Sequence, residues 1–163
     1  MHIYSFAPVA DEYSRLLILG SMPSETSLVQ GRYYGHPRNR FWPLLFRIYD
    51  EPLAQDYAAR LDFLHRRKIA LWDSCFSCRR QGSQDANIRE ESPNDIPGLL
   101  RAYPDIQKII FNGKAAETIF FRHFGPPERP YISLPSTSPI PRPGIRNIDD
   151  LFAAWAPVFS QDE

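Results

Sequence analysis

The residues best suited to chemistry lie in one long loop, residues 20–42. The loop begins where the apolar run of residues 16–19 ends, and that run predicts a buried strand. Ligands of open α/β sheets bind just beyond the carboxyl ends of strands. The loop contains serines, two adjacent tyrosines, a histidine, arginines and an asparagine. This mixture suits a flat, polar, partly anionic ligand better than it suits a hydrophobic core.

A second candidate group is the amide of Asn112, which follows the third predicted strand and precedes Gly113. An asparagine side chain presents a donor and an acceptor side by side. This pair matches a carbonyl beside an N–H, which is the lactam edge of hypoxanthine and of uracil. The alternative is that Asn112 only shapes a turn or caps the next helix.

The third candidate is the hydroxyl-rich string Ser136, Thr137 and Ser138, which lies beyond the fourth predicted strand. Its hydroxyls and backbone N–H groups can hold phosphates. The following residues 140–143, Ile-Pro-Arg-Pro, are apolar, stiff and cationic near the end, as in side-chain wedges that unstack a base step. The alternative is a polar turn stiffened by prolines.

Aromatic side chains supply the stacking surface that a planar ligand would need. Tyr33, Tyr34, Phe41 and Trp42 all lie in or beside the first loop, and one of them can stack on a base. A core position is favoured for at least one of Phe41 and Trp42. His36 either hydrogen-bonds a leaving group or a phosphate, or bonds only its own loop.

The chain has only two cysteines, Cys75 and Cys78, in a C-x-x-C arrangement. There is no second cysteine pair and no suitably spaced histidine pair to complete a metal site. We therefore expect two ordinary thiols packed behind the second strand, with no metal and no cofactor. Asp73 is predicted to position the first loop, and residues 83–90 are assigned no chemistry.

Composition bounds the remaining possibilities. The chain has 163 residues, 43% of them hydrophobic, which fits one domain spanning residues 1–163. The formal net charge is +0, so anion binding needs local segregation of charge. The absence of a signal-peptide pattern and of a membrane-spanning run predicts a cytoplasmic protein. The sequence lacks a phosphate-binding P-loop, a dinucleotide fingerprint and a Ser-His-Asp arrangement, which disfavours NTPases, dehydrogenases and triad hydrolases.

Strand and helix patterns alternate along the chain, which predicts an α/β fold with a parallel sheet. The predicted strands are residues 15–19, 69–73, 106–111 and 131–134. The predicted helices are residues 41–49, 56–68, 115–124 and 148–159, with a short helix capped by Asn94 and Asp95 that ends at Tyr103. Residues 74–92 and 135–144 are predicted to be loops. This order brings four loops to one edge of the sheet.

Four strings occur in this order along nearly the whole chain: residues 20–24, GSMPS; residues 34–39, YGHPRN; Asn112-Gly113; and residues 134–139, LPSTSP. Together they resemble the uracil-DNA glycosylase superfamily, and most closely its hypoxanthine-DNA glycosylase branch. The resemblance implies a three-layer α/β sandwich with a central four-stranded parallel sheet between helices. It also implies a metal-free enzyme that excises deaminated bases from DNA by base flipping and water attack.

The resemblance assigns roles to individual residues. Many members of the superfamily orient the attacking water with Asp or Asn at the third position of the first string, where this chain has Met22. The closer branch implies Asn39 in that role, with Asn112 reading the base. The expected base-contacting residues are Ser21, Met22, Tyr34, His36 and Phe41. The expected DNA-contacting residues are Ser24, Arg38, Ser136, Thr137, Ser138 and Arg142. DNA is the expected partner of a monomeric protein.

Three other functions fit the same residues. A uracil-DNA glycosylase is one, because uracil presents the same lactam edge. A nonenzymatic nucleic-acid-binding module is the second, because Met22 replaces the usual catalytic amide or acid. A hydrolase of free nucleosides is the third, and it would be indifferent to DNA.

Overall fold

The computed structural model describes residues 1–159. The elements follow one another as β1 (Ile3–Tyr4), β2 (Leu16–Gly20), α1 (Glu25–Gln30), α2 (Phe41–Ile48), α3 (Tyr57–Arg66), β3 (Ile69–Asp73), β4 (Cys75–Arg79), β5 (Arg89–Pro93), α4 (Ile96–Ala102), β6 (Lys108–Asn112), α5 (Lys114–Phe124), β7 (Tyr131–Leu134) and α6 (Ile148–Phe159). A short 3₁₀ turn, Asp85–Asn87, lies between β4 and β5.

The central sheet has four parallel strands in the order β3-β2-β6-β7, which confirms the predicted fold class. All five residues of β2 are buried because helices cover both faces of the sheet. Observed β6 reaches one residue further than predicted, so Asn112 is its last residue and pairs with Leu134. In the neighbouring pair, Gly20 lies opposite Asp73. Four strand ends therefore meet at one edge of the sheet.

The two faces of the sheet bury two separate apolar clusters. Successive strand residues point to opposite faces, so Leu16 and Ile18 pack against one set of helices and Leu17 and Leu19 against the other. The first cluster includes side chains of α2, α3 and α6, and the second includes side chains of α4 and α5. The result is the predicted three-layer sandwich.

Helix boundaries follow the capping residues in the sequence. Asp56 caps α3 by accepting a hydrogen bond from the Ala58 N–H at 3.4 Å, and Asp95 caps α4 by accepting from the Gly98 N–H at 3.0 Å. The Asp95 cap occurs within the predicted capping pair. Helix α6 has the predicted bounds, and α3 ends two residues earlier than predicted.

The prediction of one long polar loop over residues 74–92 is wrong. β4 and β5 form a three-stranded antiparallel sheet with β1, in the order β1-β4-β5. The prediction failed because β5 is a solvated edge strand, Arg-Glu-Glu-Ser-Pro, without the apolar alternation that marks a strand. Helix α1 was also missed, because it has only six residues inside the first loop.

Cys75 and Cys78 are free, buried thiols, as predicted. They pack with Met22 and Ile119 beside the end of β3. Within residues 1–159, no group of three His, Cys, Asp or Glu side chains is arranged to hold a metal ion. No helix in that part of the chain has the length and apolarity needed to cross a bilayer.

Candidate active site

The loops beyond β2, β3, β6 and β7 enclose a cavity of ≈ 290 Å³ at the carboxyl edge of the central sheet. This volume is at the lower end of the range for small-molecule sites. The cavity brings together most of the predicted site residues: Ser21, Met22, Ser24, Tyr34, His36, Arg38, Asn39, Asn112, Ser136, Thr137 and Ser138. Phe41 and Arg142 do not line it.

Asn112 holds two loops of the cavity together. Its Nδ2 donates to the Tyr34 hydroxyl at 3.2 Å and to Thr137 Oγ1 at 3.1 Å, and its Oδ1 accepts from the Thr137 N–H at 3.0 Å. Both amide hydrogens are therefore used within the protein, and one lone pair of Oδ1 is left for a ligand. Asn112 does not cap α5, whose N-cap is Gly113.

Tyr34, whose neighbour Tyr33 also lines the cavity, lies between the cavity and the core. Its φ of 53° lies in the left-handed region, which is unusual for a bulky residue. Its ring stacks on Phe41 with centroids 4.0 Å apart and planes 20° apart. Phe41, which was predicted to contact the base, is fully buried beneath Tyr34 and does not line the cavity. Burial raises the pKa of the Tyr34 hydroxyl, which therefore stays neutral.

Asn39 is fixed in the turn that leads into α2. Its N–H donates to the His36 carbonyl at 3.0 Å, and its Oδ1 accepts from the Phe41 N–H at 2.9 Å. Among the described residues, no protein group accepts a hydrogen bond from Asn39 Nδ2. His36 Nδ1 accepts from the Arg38 N–H at 3.1 Å, so the neutral ring carries its proton on Nε2. Both side chains therefore have a donor left for a ligand or water.

The segment 135–144 is tied to itself and to its neighbours. The Arg142 guanidinium donates to the carbonyls of Ser136 at 2.8 Å and Ile140 at 3.2 Å, which explains why it does not reach the cavity. The Trp155 indole N–H donates to the Pro135 carbonyl at 2.9 Å. Three prolines, at positions 139, 141 and 143, stiffen the tip. Ile140 lines the cavity and is 49% exposed, as a side-chain wedge would be.

Two serine hydroxyls of the first loop already form hydrogen bonds within the protein. Ser24 caps α1, since its Oγ accepts from the Ser27 N–H at 3.1 Å. The Ser21 hydroxyl donates to Asp85 Oδ1 at 2.6 Å. This bond brings the 3₁₀ turn after β4 against the cavity.

Two carboxyl groups in the cavity wall were not predicted to do chemistry. Asp73, the last residue of β3, lines the cavity and is only 3% exposed. Burial, with Asp85 as a second cause, raises the pKa of Asp73 to about 7. Desolvation also raises the pKa of Asp85, which lines the cavity too. The place of Asp73 at the end of a strand was a usable signal, whereas Asp85 lies in a polar segment that gave none.

Two glycines allow the close packing of the cavity walls. A Cβ on Gly20 would lie 2.5 Å from Asp73 Oδ1 and 2.8 Å from the Tyr34 hydroxyl. Gly113 has a φ of 94°, and a Cβ there would lie 2.9 Å from the Cβ of Ser136. Neither position has room for a side chain, and both lie at strand ends beside the cavity.

Comparison with known proteins agrees with the fold. The family model of the uracil DNA glycosylase superfamily matches residues 7–156. A hypoxanthine DNA glycosylase of Methanosarcina barkeri is 43% identical over 110 residues, which is 67% of this chain and 70% of the relative. Its counterpart in Methanosarcina acetivorans is 42% identical over 113 residues, which is 68% of this chain and 71% of the relative.

A solved structure matches along almost the entire chain. It is a solution NMR structure from Methanosarcina acetivorans, provisionally described as a uracil DNA glycosylase. The match has a TM-score of 0.82 and 35% sequence identity, and it covers 99% of this chain and 98% of the other. The chain belongs to the uracil DNA glycosylase superfamily.

Proposed function

We propose that the chain is a monofunctional DNA glycosylase that hydrolyses the N-glycosidic bond of deoxyinosine in DNA and releases hypoxanthine. The observation that carries the proposal is the joining of Asn39, Tyr34 and Asn112 around one cavity at the carboxyl edge of the sheet. The two relatives described as hypoxanthine DNA glycosylases support the choice of base.

The cavity favours a base that has been flipped out of the helix. A glycosidic bond inside a duplex cannot be reached by protein side chains, so the nucleotide must rotate out of the stack. In the proposed complex, the ring of the flipped base stacks on Tyr34. Asn112 accepts the N1–H of hypoxanthine with the second lone pair of Oδ1, while its amide hydrogens keep the two loops in place.

Asn39 directs the attacking water. As the glycosidic bond lengthens, positive charge develops at C1′ and negative charge develops on the base. A carboxamide is a weak base, so Asn39 contributes by placing a water molecule toward C1′, and effects of placement on rate are large. Among the described residues no lysine lines the cavity, which favours attack by water over a covalent Schiff-base route.

The DNA backbone binds at the mouth of the cavity in this proposal. The loops there carry the exposed Arg38 and the half-buried Arg142, together with Ser136, Thr137 and Ser138. Ile140, at the tip, fills the gap that the flipped base leaves. Local arginines supply the charge segregation that a chain of zero net charge needs.

Arg38→Ala is expected to weaken binding to DNA of any sequence and to reduce its salt dependence. Each phosphate contact contributes a slope of about 0.9 in log K against log salt, so the slope should fall by about that amount. Fluorescence anisotropy between low and moderate salt measures it. Arg101→Ala is the control, because Arg101 is exposed in the last turn of α4, before β6 begins. An unchanged slope in Arg38→Ala would remove this residue from the interface.

A base-release assay tests the proposed function. Matched oligonucleotides with a single deoxyinosine, deoxyuridine or deoxyadenosine are incubated with the protein, and the abasic product is cleaved by alkali. Release of hypoxanthine is expected. Release of uracil alone would favour the second candidate, a uracil-DNA glycosylase, which the description of the solved neighbour supports. Binding without release would favour a nonenzymatic module, and activity on free inosine would favour a nucleoside hydrolase.

We also infer that the chain acts as a monomer, as one domain over residues 1–163, in the cytoplasm and without a cofactor. The roles given to each site residue are part of the same proposal. The inference of one domain is supported by the cavity, since loops that follow both edge strands of the central sheet, β3 and β7, line it.

A further inference from the structure

One side chain in the cavity wall, that of Asp73, has a buried oxygen atom without a hydrogen-bond partner within residues 1–159. Asp73 is 3% exposed, and its Oδ2 has no hydrogen-bond partner among the described residues. Its Oδ1 lies over Gly20, next to the hydroxyl of Tyr34. The side chain therefore stands at the floor of the cavity, between the end of β2 and the aromatic residue that faces the base.

A carboxyl group in this position is costly unless a ligand completes its hydrogen bonding. Buried polar atoms in folded proteins almost always have a partner, and each exception calls for an explanation such as a catalytic role or a bound ligand. An ionised carboxylate would be worse, because removing a charge from water is more costly than removing a neutral acid. The neutral acid has one O–H to donate, and a ligand with a carbonyl oxygen would accept it.

The charged and titratable groups around Asp73 come from three segments of the chain. Tyr33 and Tyr34 of the first loop remain neutral, because burial raises the pKa of both. The pKa of Cys75, in β4, is raised by burial as well. In the segment after β4, Asp85 raises the pKa of Asp73 and Arg80 lowers it. Burial and Asp85 together outweigh Arg80, so the carboxyl is largely protonated below pH 7.

We propose that Asp73 contacts the flipped base and donates a hydrogen bond from Oδ2 to the carbonyl oxygen that deamination has introduced. This inference rests on the proposed glycosylase function and adds a residue to it. In hypoxanthine the acceptor is O6, beside the N1–H that Asn112 accepts. Adenine has an amino group at this position, so two donors would face each other and the contact would be lost.

The same contact assists departure of the base. When the bond from C1′ to N9 breaks, its electron pair stays on the base, and part of the negative charge moves to O6. Water delivers hydroxide to C1′ and its remaining proton goes to solvent. Asp73 keeps its proton throughout, and the released base anion takes up a proton from solvent. A neutral donor at O6 stabilises the developing charge, whereas an ionised carboxylate would repel it.

The test is the pH profile of single-turnover hypoxanthine release from an oligonucleotide containing deoxyinosine. The native protein should lose about tenfold in rate per pH unit above pH 7, as the acid ionises. Asp73→Asn has a permanently neutral donor, so this decline should disappear. Asp73→Leu has no hydrogen-bond donor and should release hypoxanthine slowly at every pH. Asp85→Asn removes the neighbouring charge and should move the decline to lower pH. Asp105→Asn is the matched control, since Asp105 is exposed in the turn before β6.

Each result has a defined meaning. A decline that persists in Asp73→Asn, or native rates in Asp73→Leu, would overturn the proposal. If Asp73→Asn fails to fold, as judged by circular dichroism, the profile of Asp85→Asn decides, and an unshifted decline counts against Asp73. If the native protein releases no hypoxanthine at any pH, the glycosylase function itself fails, which is a different outcome.

Discussion

Asn39→Ala is expected to reduce hypoxanthine release by at least about 100-fold while leaving affinity for the DNA largely unchanged. The amide is proposed to place the attacking water, and water without a fixed position attacks C1′ far more slowly. Single-turnover rates give the loss in the chemical step, and anisotropy with the same oligonucleotide gives the affinity. Equal losses in affinity and rate would mean that Asn39 binds DNA and does not direct water.

Asn39 also has a structural task, so the experiment needs a variant that separates the two. Its Oδ1 accepts the Phe41 N–H at the start of α2, and loss of a hydrogen bond of this kind costs about 1 kcal/mol. Asn39→Asp keeps an acceptor for that N–H and should retain stability. Thermal unfolding of both variants beside the native protein measures this contribution. If Asn39→Ala lost no more activity than its stability explains, the catalytic role would be contradicted.

Asn112→Leu is expected to weaken both folding and activity. The variant leaves the buried Thr137 N–H without its acceptor, at a cost of about 1–3 kcal/mol, and removes the donors that join Tyr34 to Thr137. Unanchored loops place Tyr34 and the base poorly, so we expect hypoxanthine release to fall by at least about 100-fold. Urea unfolding and single-turnover release measure the two effects.

Thr137→Val gives the comparison for the Asn112 variant. It removes one acceptor of the Asn112 amide but keeps the backbone N–H that Oδ1 accepts. A smaller loss of activity is expected because the amide still accepts from Thr137 and donates to Tyr34. Native-like release by Asn112→Leu would show that neither the anchor nor the contact with the base matters.

The sequence predicted the fold because its apolar patterns are unambiguous. The run of residues 16–19 predicted a buried strand, and its place in the middle of the sheet confirms this. Asn94 and Asp95 marked the start of α4 through their capping chemistry, and the start of α3 was predicted to within one residue. The meeting of four loops at one edge followed from topology, and it brought most of the predicted site residues around one cavity.

The remaining features depend on contacts that no local pattern encodes. The polar strand β5 lacks the apolar alternation that marks a strand, so the sequence did not predict its pairing with β4. Phe41 was predicted to contact the base, but it supports Tyr34 from behind, which depends on how the loop folds back. Asn112 donates both amide hydrogens to protein groups, Tyr34 and Thr137, and these contacts also depend on how the loops fold. Asp85 reaches the cavity only through the antiparallel sheet that was missed.

The stiffness of the segment 135–144 has a consequence for association with DNA. A flexible loop loses conformational entropy when it is ordered in a complex, and this loss subtracts from affinity. Here the prolines at 139, 141 and 143 restrict the backbone of the tip. Arg142 also donates hydrogen bonds to two carbonyls of the same segment, so the tip is already fixed in the free protein. The segment therefore loses little conformational entropy when the protein binds DNA, and the free-energy barrier to binding comes mainly from deforming the duplex. Sites where the helix is already weakened by a mispair should therefore be captured fastest.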